Sequence, residues 1–479
     1  MDNKSKEFRE QAHKFVDWMA DYMDKVEDYP VKSQVSPKEI YNQIGDNIPN
    51  QGEDIETIFN DFKKIIMPGI THWQSPNFFA YFPANTSPPS ILAEMLTATL
   101  GVQGMKWDTS PASTELEERM TEWFKNAIGI PNNWAGVIQD SASSATLASI
   151  LTAREQKAQY KINQAGFEGF TKFRVYCSEE THSSVEKGAK IAGIGKENVI
   201  KIPTDDVLRM RPDLLLQTIN QDIKNGFQPL CIIAAIGTTG TTAIDPLNEI
   251  AEIAEKFKIW LHVDAAYAGS VLLLPEFQDY IKGIEKADSF VFNPHKWLFT
   301  NFDCSIYFVK DKNALVNTFE ILPEYLKTNT DGVVNNHCDW GVPLGRRFRS
   351  LKLWFAMRYY GLEELQNKLR FHIELAKWLE NKIVKSPNFK LVTPRTLNLV
   401  CFHYKPQELS DINEVNKINE LLLQKLNETG EMYLTHTKVK GIYTLRMSIG
   451  QTNVNQNHIE KAWKLITNKA TEIKLIAKK

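Results

Sequence analysis

Between residues 86 and 360 short apolar runs alternate with stretches of helical periodicity. "GVIQ" precedes "SASSATLASILTAREQ", "FRVYCS" precedes "SSVEKGAKIAG", "PLCIIAAIGTTG" precedes "NEIAEIAEKF", and "IWLHVDAAYAG" precedes "ADSFVFNPHKW". Runs of this length, bounded by turn residues and followed by helices, predict a mostly parallel α/β sheet with helices on both faces. Ligands of such sheets lie beyond the carboxyl ends of the strands, and the polar residues of these runs fall there.

The flanks carry a different pattern. At the start, Phe8, His13, Phe15, Val16, Met19, Tyr22 and Met23 recur near helical spacing, and "IETIFNDFKKIIM" predicts a second helix after a proline-containing stretch. Two or three helices of this length bury little by themselves, so residues 1–85 read as an appendage that needs a surface, which a partner subunit would supply. From residue 361, the end of a long helical stretch leads into "KLVTPRTLNLVCFHY", "NEVNKINELLLQKLNETG" and "YTLRMSIG", which predict a small α/β domain over 361–479. The chain thus divides into 1–85, a large domain at 86–360, and 361–479.

Composition narrows the class. With 56 Lys and Arg against 58 Asp and Glu, the net charge of −2 gives no basic surface for nucleic acid. No stretch offers the run of about 18 apolar residues that a membrane span needs, and the charged start lacks a signal-peptide core, so a cytoplasmic protein is expected. Cys177, Cys231, Cys304, Cys338 and Cys401 are scattered without a C-x-x-C pair, which suggests neither a disulfide framework nor a metal site.

The strand ends hold the candidate chemistry. Ser141, Ala142 and Ser143 open a helix whose N-terminus suits an anion. His182 precedes the next helix, and Thr238 and Thr239 follow the strand ending at Ile236. Asp264 ends a buried strand beside Ala265 and Ala266, small enough to admit a flat ligand, and a buried carboxylate there needs a partner. Lys296 follows the run Ser289 to Phe292. Each has an ordinary explanation: a serine N-cap, a surface histidine, turn threonines, a helix-capping aspartate, a solvated lysine. In this order on an α/β chain they form one constellation: a helix mouth for a phosphate, an acid for a protonated ring nitrogen, an imidazole to lie on a ring, and an amine for an aldehyde. That set matches pyridoxal 5′-phosphate.

At these residues the chain also closely resembles the pyridoxal-dependent decarboxylase family of aromatic L-amino acid decarboxylase, through "THWQSPNFFAYFP", "SPASTELE", "HVDAAYAGS", "NPHKW" and "PLGRRFRSLKLWF" in the family's order over nearly the whole chain. The resemblance implies a fold type I pyridoxal enzyme and a homodimer whose N-terminal helices pack on the partner. It implies that Lys296 holds the cofactor as a Schiff base, that Asp264 pairs with the pyridine nitrogen, and that His182 stacks on the ring. Thr239 and Ala266 would line the ring, while Ser141, Ala142, Ser143 and Asn293 would hold the phosphate. Tyr325, in the polar loop "LPEYLKTNTDGVVNN", matches the family's proton donor. Relatives that form aldehydes tend to carry phenylalanine at that position or asparagine in place of the histidine, so Tyr325 and His182 point to an amine-forming decarboxylase.

For the substrate, the resemblance implies an aromatic-lined pocket of Trp73, Tyr81, Phe82 and Pro83, with Gly345 leaving room for a bulky ring. Ala84 stands where many relatives have a hydroxyl residue, and Gln103 and Met105 stand where animal members place apolar and aromatic residues across the dimer. The expected reaction is decarboxylation of an aromatic L-amino acid to its amine. The competing readings are a member acting on a non-aromatic amino acid, an aldehyde-forming relative, and a catalytically silent cofactor-binding relative.

Overall fold

The structure, a computed structural model, describes residues 3–170, 172–321 and 334–477. Seven strands form the main sheet: β1 (Ala135–Gln139), β2 (Phe173–Ser178), β3 (Val199–Ile202), β4 (Gln228–Ala235), β5 (Trp260–Asp264), β6 (Ser289–Phe292) and β7 (Ser305–Val309). Their order is β1-β7-β6-β5-β4-β2-β3. β7 runs antiparallel to both β1 and β6, whereas β6, β5, β4, β2 and β3 pair in parallel. β1 therefore points the same way as the parallel set, and the carboxyl ends of β1, β2, β4, β5 and β6 share one edge.

The strands are short apolar runs because they are covered. Every residue of β5, β6 and β7 is buried, and burial on both faces removes the alternation that a half-exposed strand would show. Helix Ala142–Lys157 covers one face near β5 and β6, packing Ala145, Ala148 and Ile150 into a core with Val175, Val291 and Tyr307. Two close approaches require glycine: a Cβ on Gly269 would lie 2.3 Å from Phe292 Cβ, and Gly237, at φ +90°, would meet Ala268 Cβ at 2.6 Å.

A second sheet contains β8 (Phe389–Leu391), β9 (Leu399–Tyr404), β10 (Thr435–Val439) and β11 (Ile442–Ser448), in the order β10-β11-β9-β8. The turn between β10 and β11 places Lys440 and Gly441 at positive φ, the backbone that closes a tight antiparallel hairpin.

The chain forms two compact units, one of Met1–Pro83, Glu374–Val392 and Val400–Lys479, the other of Ala84–Ile373 and Thr393–Leu399. Arg349–Lys385 comprises two helices that meet at Gly361, whose φ of +68° and ψ of 168° are not helical. The N-terminal helical segment is tied to the C-terminal part of its own chain. Val31 N–H donates to Gly430 O at 2.8 Å, Phe79 N–H to Tyr433 O at 2.9 Å, and Ser448 N–H to Phe79 O at 3.0 Å. Phe79 is fully buried in a core with Leu375, Leu379, Phe402 and Met447. Part of the surface expected from a partner subunit is thus supplied from within. The first helix, Asn3–Asp24, stacks Phe15 on Phe59 at 4.3 Å while leaving Phe8 exposed.

Candidate active site

Five strand ends bring the predicted cofactor residues to one edge of the main sheet. After β1, Ser141 caps helix Ala142–Lys157, its Oγ accepting from Ser144 N–H at 3.3 Å; Ala142 is buried and Ser143 exposed. After β4, Thr238 is locked into its turn by an N–H donated to Ala243 O and an Oγ1 accepting from Ala243 N–H, both at 3.0 Å, and Thr239 is exposed beside it.

Asp264 ends β5 and is buried, with Oδ1 accepting from Ala266 N–H at 3.0 Å. Asn293, just past β6, donates its N–H to Ala266 O at 3.0 Å and accepts from Ser305 Oγ at 2.7 Å. These two bonds fix the start of the short helix Pro294–Trp297, within which Lys296 N–H donates to Asn293 O at 2.9 Å.

The charges interact. Burial pushes the Lys296 amine below its ordinary pKa and the Asp264 carboxylate pulls it back up. Burial also lowers the pKa of His182, which feels Asp264 raising it and Lys296 and Lys201 lowering it further. His182 Nδ1 accepts from Ser184 N–H at 3.1 Å. A desolvated amine, a buried carboxylate, an imidazole, a surface of Ala265 and Ala266 and a serine-capped helix mouth suit the aldehyde, ring nitrogen, ring face and phosphate of pyridoxal phosphate.

The predicted substrate residues fall into two groups. In the first unit Trp73 stacks on Tyr81 with ring centroids 5.7 Å apart, and Tyr81 Oη lies 3.3 Å from Tyr433 Oη. Phe82 and Pro83 are buried, Phe82 under the Arg446 guanidinium at 5.4 Å. In the second unit Ala84 is half-buried, and Met105 O accepts from Cys338 N–H at 2.9 Å. Gln103 has its amide oxygen engaged, accepting from Arg346 N–H at 2.6 Å, and a Cβ on Gly345 would come within 3.2 Å of its Nε2. Tyr325 lies outside the described residues.

Two buried clusters escape a reading of the sequence. Glu117 Oε1 accepts from Ile138 N–H and from Arg346 Nη2, both at 2.7 Å, with His337 Nδ1 at 3.9 Å. Glu117 sits with Ser113, Met120, Thr121 and Phe124 on the buried side of helix Pro111–Ile128, so a carboxylate on an otherwise inward face was the available signal. Arg346 and His337 also line a cavity of about 280 Å³ with Gln139, Asp140, Ser144 and Gly345 beside the helix mouth. The other cluster is Lys352, fully buried, 3.3 Å from Glu94 and held at a pKa of about 8 by its burial.

A model of the pyridoxal-dependent decarboxylase conserved domain matches residues 37–405. The chain belongs to the pyridoxal-dependent decarboxylases. It is 43% identical to tyrosine decarboxylase 3 of Petroselinum crispum over 97% of this chain and 92% of that protein. It is 42% identical to a phenylacetaldehyde synthase of Arabidopsis thaliana over 98% of this chain and 96% of that one. Among solved structures, tryptophan decarboxylase of Catharanthus roseus in complex with L-tryptophan matches with a TM-score of 0.92 at 39% identity, covering 99% of this chain and 100% of that chain. As a pyridoxal-dependent decarboxylase it uses pyridoxal phosphate. Among the described residues no helix is long and apolar enough to cross a membrane.

Proposed function

We propose that this chain decarboxylates an aromatic L-amino acid, of the tyrosine, phenylalanine, dopa or tryptophan type, to the corresponding amine and CO₂. The observation that carries it is the convergence of Lys296, Asp264 and the Ser141 helix mouth on one sheet edge, in a chain about 40% identical to a tyrosine decarboxylase. Bound at this edge, pyridoxal phosphate supplies an electron sink for the pair of electrons released when CO₂ leaves. Ser141, Ala142, Ser143 and Asn293 hold the phosphate, where free N–H groups and the helix dipole favour its charge. Asp264 keeps the ring nitrogen protonated. Lys296 anchors the cofactor through Nζ, and its lowered pKa leaves more of the amine neutral and nucleophilic near neutrality.

His182 lies against the ring, with Thr239 and Ala266 around it. Tyr325 delivers the proton to the substrate Cα after CO₂ departs. Trp73, Tyr81, Phe82 and Pro83 supply aromatic and apolar surface for the substrate ring, with Ala84, Gln103, Met105 and Gly345 tuning its shape. The working form is a cytoplasmic homodimer. The experiment is product analysis of the purified protein in air with tyrosine, phenylalanine, dopa, tryptophan, histidine and glutamate. Amine and CO₂ from an aromatic substrate support the reading. Aldehyde with ammonia and peroxide as the main products, or turnover of glutamate or histidine alone, overturns it.

A further inference from the structure

Beneath the site a buried polar network occupies the face of the sheet that carries Asp264, and none of the roles above uses it. His262 and Asp264 are two residues apart on β5, so both side chains project to one face. His262, Ser289, Ser149 and Thr146 are all fully buried. His262 Nδ1 lies 2.9 Å from Ser289 Oγ, and Ser289 Oγ lies 2.9 Å from Ser149 Oγ. Trp260 Nε1–H donates to Ser149 Oγ at 2.8 Å and reaches Ser289 Oγ at 3.2 Å. On the far side of the imidazole, Nε2 stands 3.5 Å from Thr146 Oγ1.

The connectivity of this network is what matters. Thr146 and Ser149 stand one turn apart on helix Ala142–Lys157, whose first residues form the phosphate mouth. Ser289 opens β6, which runs into Asn293 and Lys296. His262 thus joins the helix to the two strands that carry the acid and the amine.

The protons follow from the donor inventory. An indole N–H only donates, so Trp260 gives its proton to Ser149, with Ser289 next in reach, and the neutral imidazole of His262 uses one ring nitrogen toward Ser289 and the other toward Thr146. Burial holds the His262 pKa at about 4. The ring is therefore neutral at working pH and does not compete as a counter-ion for Asp264. Apolar side chains would fill this space without the desolvation cost. What the hydrogen-bonded set adds is a fixed geometry between helix and strands.

We infer that His262 is a positioning residue for the cofactor: through Ser289, Ser149 and Thr146 it sets the spacing between the helix mouth that grips the phosphate and the Asp264 carboxylate that meets the ring nitrogen. This rests on the function proposed above. Both ends of one rigid cofactor must be satisfied together, so a slip of the helix along the sheet sacrifices the phosphate contacts while the ring end stays engaged.

The test titrates the apo-protein with pyridoxal 5′-phosphate and, separately, with pyridoxal, which lacks the phosphate. The variants are His262→Leu, His262→Asn, whose amide can still hydrogen-bond Ser289 as donor or acceptor, and the milder Ser149→Ala. The ratio of the two dissociation constants measures the phosphate grip. His262→Leu is expected to shrink that ratio on the order of tenfold or more while pyridoxal binding changes little. His262→Asn should restore most of the ratio, and Ser149→Ala should shift it in the same direction as His262→Leu. An unchanged ratio in Ser149→Ala, or in a folded His262→Leu, overturns the inference and leaves His262 as core packing. Failure of the wild-type protein to bind pyridoxal phosphate would instead overturn the proposed function and this inference with it.

Discussion

The carboxylate of Asp264 counters the desolvation of Lys296: burial lowers the amine's pKa and Asp264 raises it again. The same carboxylate acts on His182 in the same sense, against burial and against Lys296. Burial dominates both shifts and one negative charge opposes it at both bases, so substitutions there should be read together.

Lys296→Ala should abolish the visible absorbance of the purified protein and reduce turnover below detection. Borohydride reduction of the wild-type protein followed by peptide mapping should label only the peptide that contains Lys296. Label on another lysine would remove Lys296 from its role.

Asp264→Ala should weaken cofactor binding and reduce turnover by about 10²–10³-fold, the scale for removing one preorganised electrostatic partner. It should also lower the pKa of His182 further, because the carboxylate that raises it is gone. NMR titration of the His182 ring would check this independently of activity. Near-normal rates would mean that the ring nitrogen has another partner.

Tyr325→Phe should still release CO₂ but form amine more slowly, by about 10²–10⁴-fold, the range for loss of a positioned acid. The unprotonated carbon then becomes available to O₂, so products in air should move from amine toward aldehyde, ammonia and peroxide. Amine at the wild-type rate would assign the proton to His182 or to water.

Glu117→Ala should destabilise the fold by about 3–5 kcal/mol, because it leaves the buried Arg346 guanidinium without its carboxylate and Ile138 N–H without its acceptor. Urea denaturation of the variant beside wild type measures this. A change below about 1 kcal/mol would place the pair in the class of exposed ion pairs.

Acid should unfold the protein well before its carboxylates are fully protonated. Burial lowers the pKa of His262, His337 and His403 to about 4 and of His295 and His372 to about 3, from the ordinary 6.5. Below 6.5 the unfolded chain takes up protons that the folded chain refuses, so the stability present above 6.5 is lost as pH falls toward 4. Asp245 and Asp288, raised to about 6 by burial, act in the opposite sense and offset part of this loss. The urea midpoint should therefore be lower at pH 5 than at pH 7; an equal or higher midpoint would contradict the histidine assignment.

The parallel strands were legible because burial on both faces writes them as apolar runs, and the residues at their ends were legible because a strand end is where polar groups appear. β3 and β7 were not among the predicted strands. "CSIYFV" has the composition of a buried strand, but nothing local reveals that it runs antiparallel between β1 and β6. Gln103 carries no sequence sign that its amide is taken by Arg346 N–H. The His262 network is hidden for a similar reason. Alternation along β5 puts His262 on the side of Asp264, yet its partners at Ser149 and Ser289 come from elements remote in the chain. Gly361 illustrates the opposite case: helical periodicity runs straight through it, while its φ of +68° and ψ of 168° separate two helices there.

The placement of β7 sets a timetable for biosynthesis. Among the described residues β1 joins the main sheet only through β7, so the strand that leads into the Ser141 mouth has no ladder partner there until residues 305–309 have left the ribosome. By then β2, β3, β4, β5 and β6 have all been made. Such long-range closure is slow because the intervening loop must lose its freedom before the pairing repays it. A nascent chain halted anywhere short of β7 would carry Asp264 and even Lys296 while the strand that leads into Ser141 still had no ladder partner.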